Sequence, residues 1–358
     1  MPEPTLDQLR REIDQIDNQI MDLLNARMEV VRQVGELKKA SQTVIYRPER
    51  EKAIIDRLAQ RSAGLLGRPA IEAIFLEIFA ISRNLELPEQ VAYLGPDGSF
   101  THQAAESRFG ALSKYVALSS IETVFEFVDT GKVRFGVVPI ENNQEGVVTE
   151  TIALLGSYEL KIVAEIPMAI HFAFASVEDS VERITKIYSR DIGLRQCRHF
   201  LNEMFPQGQA ELVPVNSTSK AAELAALEPG SAALCSHIAA KQNGLPILFD
   251  NVEDSDTNQT RFIILGKNIN NQKGERDKTS ILAKLGDEPG ALFYFLKDFH
   301  EAGINLTKIE SQPAKKGKSF KYWFFIDFDG HYQEPKVAAV LAKREKEIKL
   351  LGSYVKLC

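Results

Sequence analysis

The 358-residue chain holds little from which to build a metal centre, a disulfide framework or a membrane span. Its three cysteines, Cys197, Cys235 and Cys358, are odd in number and far apart. That spacing suits neither zinc ligands nor paired bridges, and points to a reducing compartment. The six histidines form no cluster. No run of about 18 apolar residues occurs, so no membrane span is expected. The opening MPEPTLDQLRREID is acidic and amphipathic, without the apolar centre of a secretion signal, and a cytoplasmic protein is expected. No long basic run stands out against a net charge of −6, so no nucleic-acid partner is expected either. A small anionic ligand remains compatible, because local arginines outweigh the net sum.

What is present divides into three textures. Apolar residues make up 44% and charged residues 26%, the balance of a folded soluble protein too long for one ordinary domain. Residues 1–88 form the first unit, of which 5–86 read as helix. Thr5 and Gln8 have capping-box spacing, and Leu6, Leu9, Ile13, Ile16, Ile20, Leu23, position 27, Val30, Val34 and Leu37 recur at three- and four-residue intervals. A helix of about 50 Å cannot bury such a stripe alone, so partner helices are expected, most simply from a second copy of the chain. Pro48 and Pro69 suit the first turns of two further helices, 48–62 and 69–86. Residues 89–268 alternate β-rich runs with helical stretches, which predicts an α/β domain with a substantially parallel sheet. Polar residues gather at its strand-to-helix turns, where such folds bind ligands. After the polar link Asn268–Lys278, residues 279–358 spell βαββαβ, a small ferredoxin-like module whose last helix is read as Pro335–Glu347 and last strand as Tyr354–Leu357.

Position 27 of the helical stripe is an arginine, and a guanidinium in a helix seam needs an anion to offset its desolvation. Lys38 lies about 20° further round the helix and shares that face, whereas Arg10, about 100° away, reaches the same pocket more readily from another chain. An interhelical salt bridge explains one such residue. The company of Arg50, Glu51, Ser82 and Glu86 favours an anion pocket.

Through LRREIDQID, LLNARMEVV, VGELK and YRPERE, residues 5–86 resemble the all-α class of chorismate mutase. The resemblance implies that Arg27, Lys38 and the partner subunit's Arg10 bind the carboxylates and ether oxygen of chorismate. It also implies that Glu51 holds the substrate hydroxyl, while Arg47, Arg50, Ser82 and Glu86 line the pocket. Glu86 stands where some members have glutamine, and must carry a proton to donate to the ether oxygen. The implied reaction is a pericyclic rearrangement to prephenate, which needs a compact conformer and positive charge at the breaking C–O bond rather than a nucleophile.

The middle segment resembles prephenate dehydratase through YLGPDGSFTHQAA (93–105), FGVVPIEN (135–142), EGVVTET (145–151), STSKAA (217–222), AALCSHIAA (232–240) and DTNQTRFIIL (256–265). The family fold is a two-lobed, periplasmic-binding-protein-like α/β module with its site between the lobes. The resemblance makes Thr260 the residue that hydrogen-bonds or protonates the departing hydroxyl, with electrostatic help from its neighbours. Arg261, Phe262, Ser99, Thr101, Asn142, Asn143, Ser217 and Thr218 are the implied substrate contacts. For a lone Ser or Thr at a helix start, plain N-capping is the simpler reading, and only the motif around Thr260 reverses it. Asn143 replaces a common serine, and the family's Ser-His-Pro-Gln run reads Ser189-Arg190-Asp191-Ile192, with Leu194, Gln196 and Cys197 retained. Neither reaction calls for a metal or a cofactor.

Residues 279–357 resemble an ACT regulatory domain in EPGALFYFL (288–296) and GINLTKIESQP (303–313). That resemblance implies feedback by phenylalanine, bound between two modules by Gly290, Ala291, Leu292, Asn305, Glu310 and Ser311; simple dimerisation is the plainer role. The whole predicts a multidomain homodimer, or tetramer, that converts chorismate through prephenate to phenylpyruvate. The rival readings are a mutase joined to a non-aromatising prephenate decarboxylase, and a degenerate amino-acid-sensing protein.

Overall fold

The computed structural model describes the chain except residues 1–4, 42–46, 87–89, 256, 314–321 and 358. Tyr46 of the YRPERE motif, the expected domain junction at 87–89, and Asp256 thus lie outside the described residues. Three helices open the chain: α1 (Leu6–Ser41), α2 (Pro48–Arg61) and α3 (Arg68–Glu86). The capping box forms, with Thr5 N–H donating to Gln8 Oε1 at 2.8 Å and Gln8 N–H donating to Thr5 Oγ1 at 3.3 Å. Ile55 of α2 packs with Ile71 and Phe79 of α3 in a small core. The α1 stripe stays outside it: from Leu6 to Leu23 each apolar member is at least 42% exposed. A stripe this long left bare in one chain is a surface built for other helices.

The α/β region has two lobes. The first contains β1 (Gln90–Leu94), α4 (Phe100–Phe109), β2 (Lys114–Leu118), α5 (Ile121–Asp129), β3 (Phe135–Asn142), β4 (Gly146–Val147), α6 (Thr149–Ser157) and β5 (Leu160–Ala169). The second contains β6 (Ala173–Ser176), β7 (Lys186–Ser189), α7 (Asp191–Gln196), α8 (Arg198–Met204), β8 (Glu211–Pro214), α9 (Thr218–Leu227), β9 (Ser231–Cys235), α10 (His237–Gln242) and β10 (Ile247–Phe249). The chain then re-enters the first lobe as β11 (Gln259–Lys267). The sheet orders are β2-β1-β3-β11-β5, with β4 on β3, and β10-β6-β9-β7-β8.

Both sheets are mixed, which corrects the expectation of a substantially parallel one. β1 runs parallel to β2 and β3, and β7 to β8 and β9, as βαβ crossovers require. β11, however, is antiparallel to both β3 and β5, and β6 to both β9 and β10. The double crossing between lobes is the reason, since the returning strand enters against the direction of its neighbours. Successive β11 side chains then serve different cores. Phe262 and Ile264 pack with Phe172 and Phe174, and Ile263 and Leu265 with Leu282, Phe325 and Tyr354.

The C-terminal unit is βαββαβ: β12 (Asp277–Lys284), α11 (Ala291–Glu301), β13 (Leu306–Pro313), β14 (Tyr322–Asp329), α12 (Pro335–Lys343) and β15 (Ile348–Val355), with sheet order β13-β14-β12-β15. α12 stops short of the expected Glu347, and β15 begins at Ile348 rather than Tyr354. The intervening run is rich in helix formers, but pairing with β12 overrides that local preference. The preceding link is anchored, because Asn271 Nδ2 donates to Val163 O at 2.6 Å and Ser353 O at 3.0 Å. Against the first lobe, Lys349 Nζ donates to Tyr158 O and Glu159 Oε1, both at 2.8 Å. Trp323, the chain's one tryptophan, lies on Gly156 of α6 so closely that a Cβ there would fall 2.0 Å from the indole.

Candidate active sites

Helices α1, α2 and α3 enclose a cavity of about 540 Å³ lined by Arg27, Lys38, Arg47, Arg50, Glu51, Ser82, Arg83 and Glu86. Helical spacing on α1 puts Arg27 and Lys38 on one wall, as expected. Arg27 donates to Ser82 Oγ at 2.6 Å, and Ser82 Oγ donates to Ile78 O at 2.6 Å. Lys38 Nζ pairs with Glu86 Oε2 at 2.7 Å. Burial, and then repulsion from Arg50, holds Arg27 below its ordinary value, with Glu86 pulling the other way. A guanidinium stays charged throughout, so the pocket keeps a strongly positive wall. Arg47 reaches Glu49 at 2.8 Å and Gln272 of the link. Arg10 pairs loosely with Asp7 at 3.8 Å, on the exposed stretch of α1, and does not line this chain's cavity. Glu86 thus stands here as the ion-pair partner of Lys38 through one carboxylate oxygen.

Sequence reasoning missed Arg83. It is buried, donates to Glu51 Oε1, donates through its other terminal nitrogen to Arg108 O at 3.1 Å, and lies 5.7 Å from the Phe109 ring centroid. Burial pushes the Glu51 carboxyl up despite the pull of Arg83 and Arg108. The available signal was the one that singled out Arg27: a guanidinium inside the apolar run of α3.

The second site lies where β3 and β11 end between the two lobes. Asn142 is ladder partner to Thr260, and Glu141 to Arg261. The Asn142 carboxamide is saturated. Its Oδ1 accepts from the Gln144 and Glu145 N–H groups at 2.9 Å each, and its Nδ2 donates to Asn258 Oδ1 and Thr260 Oγ1 at 2.8 Å each. Thr260 Oγ1 is thereby an acceptor toward Asn142. Among the described residues its own hydrogen has no acceptor, which leaves the half-buried hydroxyl as a donor.

Asn143 prolongs the strand pairing. Its N–H donates to Gln259 O at 3.0 Å, its Oδ1 accepts from Gln259 N–H at 2.9 Å, and its Nδ2 donates to Thr257 O. Contacts across the cleft join the lobes: Ser236 Oγ donates to Gly98 O at 2.6 Å, Ser219 Oγ to Asp97 O, and Gln196 Nε2 to Gln144 Oε1 at 2.8 Å. Gln196 also accepts from Asn258 Nδ2 at 3.3 Å, which places it one hydrogen bond from the Asn142–Thr260 pair. Ser99 and Ser217 are N-caps, accepting from His102 N–H at 3.2 Å and Lys220 N–H at 3.0 Å. Thr101 and Thr218 are buried in the first turns behind them. Arg190 is exposed at the start of α7.

Thr260 and Arg261 share a strand but not a face, and this corrects the reading of Arg261 as a substrate contact. Its buried guanidinium meets Glu165 at 2.9 Å, Asp327 at 2.6 Å, Glu141 at 3.0 Å and Tyr354 Oη at 2.8 Å. Burial opposes its charge, yet these partners hold it above its ordinary value. Lys278 pairs with Glu165 at 2.8 Å, and Lys308 with Glu141. Three cations therefore face three carboxylates across the junction with the C-terminal sheet. Phe262 is likewise a core residue, 2% exposed, and not a surface for ligand. For Arg261 the two-residue period of a strand decided the outcome, and adjacency in sequence misled; Phe262 lies on the Thr260 side of the strand and is taken up by the core beneath it.

In the C-terminal unit, Gly290 has φ +88 and caps α11, followed by the half-buried Ala291 and Leu292. Asn305 donates to Asp329 Oδ2 at 2.9 Å, and Glu310 and Ser311 lie on β13. Phe293 and Tyr294 of α11 are exposed. Among the described residues no group of three or more His, Cys, Asp or Glu is arranged to hold a metal ion, and no helix is long and apolar enough to cross a membrane.

Comparison with known proteins matches this geometry. Residues 9–87 fit the family model for chorismate mutase type II, and residues 91–270 that for prephenate dehydratase. A bifunctional chorismate mutase/prephenate dehydratase from Aquifex aeolicus is 40% identical over 98% of this chain and 98% of its own length. One from Stutzerimonas stutzeri is 39% identical over 97% of each. Among solved structures, prephenate dehydratase from Arthrobacter aurescens in complex with L-Phe is 33% identical with a TM-score of 0.67, covering 75% of this chain and 90% of that one. With both family models matched in order and near-complete coverage on both sides, the chain belongs to the bifunctional chorismate mutase/prephenate dehydratase family.

Proposed function

We propose that the helical pocket rearranges chorismate to prephenate, and that the cleft then converts prephenate to phenylpyruvate. In the first reaction no proton or covalent partner is required. Arg27, Lys38 and Arg50 offset the carboxylates, hold the compact conformer and place positive charge near the ether oxygen. Ser82, Glu51, Glu86 and Arg47 complete the wall, and Arg10 of a second chain closes it. The bare α1 stripe supports that homodimer.

In the second reaction the ring carboxylate leaves as carbon dioxide, and its bonding pair becomes a ring double bond. The C–O bond to the ring hydroxyl breaks with its own pair, and the departing hydroxide takes a proton to become water. Thr260 donates to that oxygen, held in orientation by Asn142, while helix starts at Ser99, Thr101, Ser217 and Thr218 and the strand end at Asn143 frame the substrate. The observation that carries this reading is the Thr260 hydroxyl, which accepts from Asn142 and whose hydrogen has no acceptor among the described residues.

The βαββαβ unit serves as an ACT domain that binds phenylalanine at Gly290, Ala291, Leu292, Asn305, Glu310 and Ser311 as a feedback inhibitor. Its exposed Phe293 and Tyr294 and the phenylalanine-bound relative support that assignment. One assay tests the function: supply chorismate and follow both its loss and the appearance of phenylpyruvate. Both are expected, with phenylpyruvate suppressed by added phenylalanine. Chorismate loss without phenylpyruvate overturns the dehydratase reading.

A further inference from the structure

The Asn142–Thr260 pair is the last rung of its ladder on β3, and the register slips immediately behind it, between Arg261 and Phe262. The bulge loosens the β3 side of the ladder, while on the other side Thr260 stays in register with Met168 of β5 and Asn143 carries the β3 pairing on to Gln259. The strand is held a third way, from its far face. The adjacent rung, Glu141 with Arg261, points to the opposite face and is gripped from the C-terminal sheet. Lys308 of β13 pairs with Glu141, and Asp327 of β14 accepts from Arg261 Nη1 at 2.6 Å. Asp327 is itself oriented by Ser280 Oγ, which also shares a 2.6 Å hydrogen bond with Tyr354 Oη. Successive residues of a strand are only about 3.3 Å apart along the chain, so a clamp on one rung sets the place of the next.

We propose that Lys308 and Asp327 are positioning residues for dehydration: by clamping the Glu141–Arg261 rung, the C-terminal sheet fixes the geometry of the Thr260 donor on the other face. The proposal rests on the reading of Thr260 as leaving-group donor. It gives the C-terminal unit a part in basal turnover, separate from any effector. It also gives β13, which carries Glu310 and Ser311 close to Lys308, a mechanical route to the cleft.

The test is steady-state kinetics of full-length variants with prephenate, with chorismate consumption as internal reference. Lys308→Gln should lower dehydratase kcat about ten- to a hundredfold through misplacement of the donor, with KM for prephenate and mutase turnover held. Lys308→Arg should restore most of kcat. Asp327→Asn, nearly isosteric, reads the same clamp from its other end should Lys308→Gln fold poorly. Lys349→Met loosens the same docking surface at its Tyr158 and Glu159 contacts, without touching the rung, and should leave kcat in place. Equal losses in Lys349→Met and Lys308→Gln would reduce the clamp to general docking and overturn the proposal. Wild-type kcat in both Lys308→Gln and Asp327→Asn, with Thr260→Val inactive, overturns positioning alone. An active Thr260→Val overturns the donor reading and the proposal with it.

Discussion

Thr260→Val is the most informative single substitution. Valine keeps the branched shape and loses only the hydroxyl. On stability, Asn142 Nδ2 gives up one of its two acceptors and keeps Asn258, a loss of about 1 kcal/mol for one half-buried hydrogen bond. On rate the loss is larger, because a donor aimed at an oxygen that gains charge only in the transition state is worth about 2.7–4 kcal/mol, or about 10²–10³ in kcat. The two magnitudes separate a catalytic role from a structural one. The assay supplies prephenate and reads phenylpyruvate, then supplies chorismate and reads its consumption by the distant helical pocket. Phenylpyruvate formation should fall by that factor while mutase turnover stays in place. Thr260→Ser, which keeps the hydroxyl, should recover most of the rate. If the valine variant turns prephenate over within about tenfold of the parent, the donor is some other group and the argument from the unfilled hydroxyl hydrogen fails.

Further outcomes follow from the other sites. Arg10→Ala and Arg27→Ala chains should each lack mutase activity, yet equal co-expression should recover about a quarter of it, since half the dimers are mixed and each mixed dimer keeps one intact site. Recovery of none would show that each pocket is completed within one chain. Because burial raises Glu51, the mutase pocket gains a negative charge as pH rises through a value above the ordinary carboxylate range, so KM for the chorismate dianion should rise there and the dependence should vanish in Glu51→Gln. The same shift gives a stability contribution that is full at low pH and lost as pH climbs through the folded value, which chemical unfolding across that window would read. Gly290→Ala forces a Cβ onto a residue at φ +88, 2.9 Å from the Tyr294 ring. A left-handed strain of about 1–2 kcal/mol should weaken phenylalanine inhibition about tenfold, and unchanged inhibition would remove Gly290 from the effector site.

Features governed by local periodicity were legible from sequence. The α1 stripe, the Thr5–Gln8 box, α11 and the βαββαβ order all follow from spacing and composition, and the structure realises each of them. Mixed strand direction was not legible, because it depends on the chain crossing twice between lobes. The end of α12 was misplaced because a strand partner distant in sequence outweighs a charged run with helical preference. At the sites, residue types were readable and orientation was not. Arg261 looked like a companion of Thr260 until the strand turned it to the other face. For Asn143 the sequence showed a polar residue at a strand end but not that its side chain would bond the Thr257 and Gln259 backbone. Arg83 carries the same signal as Arg27, a guanidinium within an apolar helical run, but on α3, where its partners Glu51 and Arg108 are set by tertiary packing.

The close seating of Trp323 on Gly156 has a practical side. Excited at the red edge, where its nine tyrosines do not absorb, the chain has one emitter, and here the fold has installed it on the seam between the C-terminal sheet and the first lobe. Its emission therefore reports on that seam alone, with no label and no background from elsewhere in the chain. Any ligand, variant or solvent that prises the sheet from α6 exposes the indole to water and shifts its emission to the red. Opening of the junction can thus be timed directly, in the same cuvette in which turnover is followed.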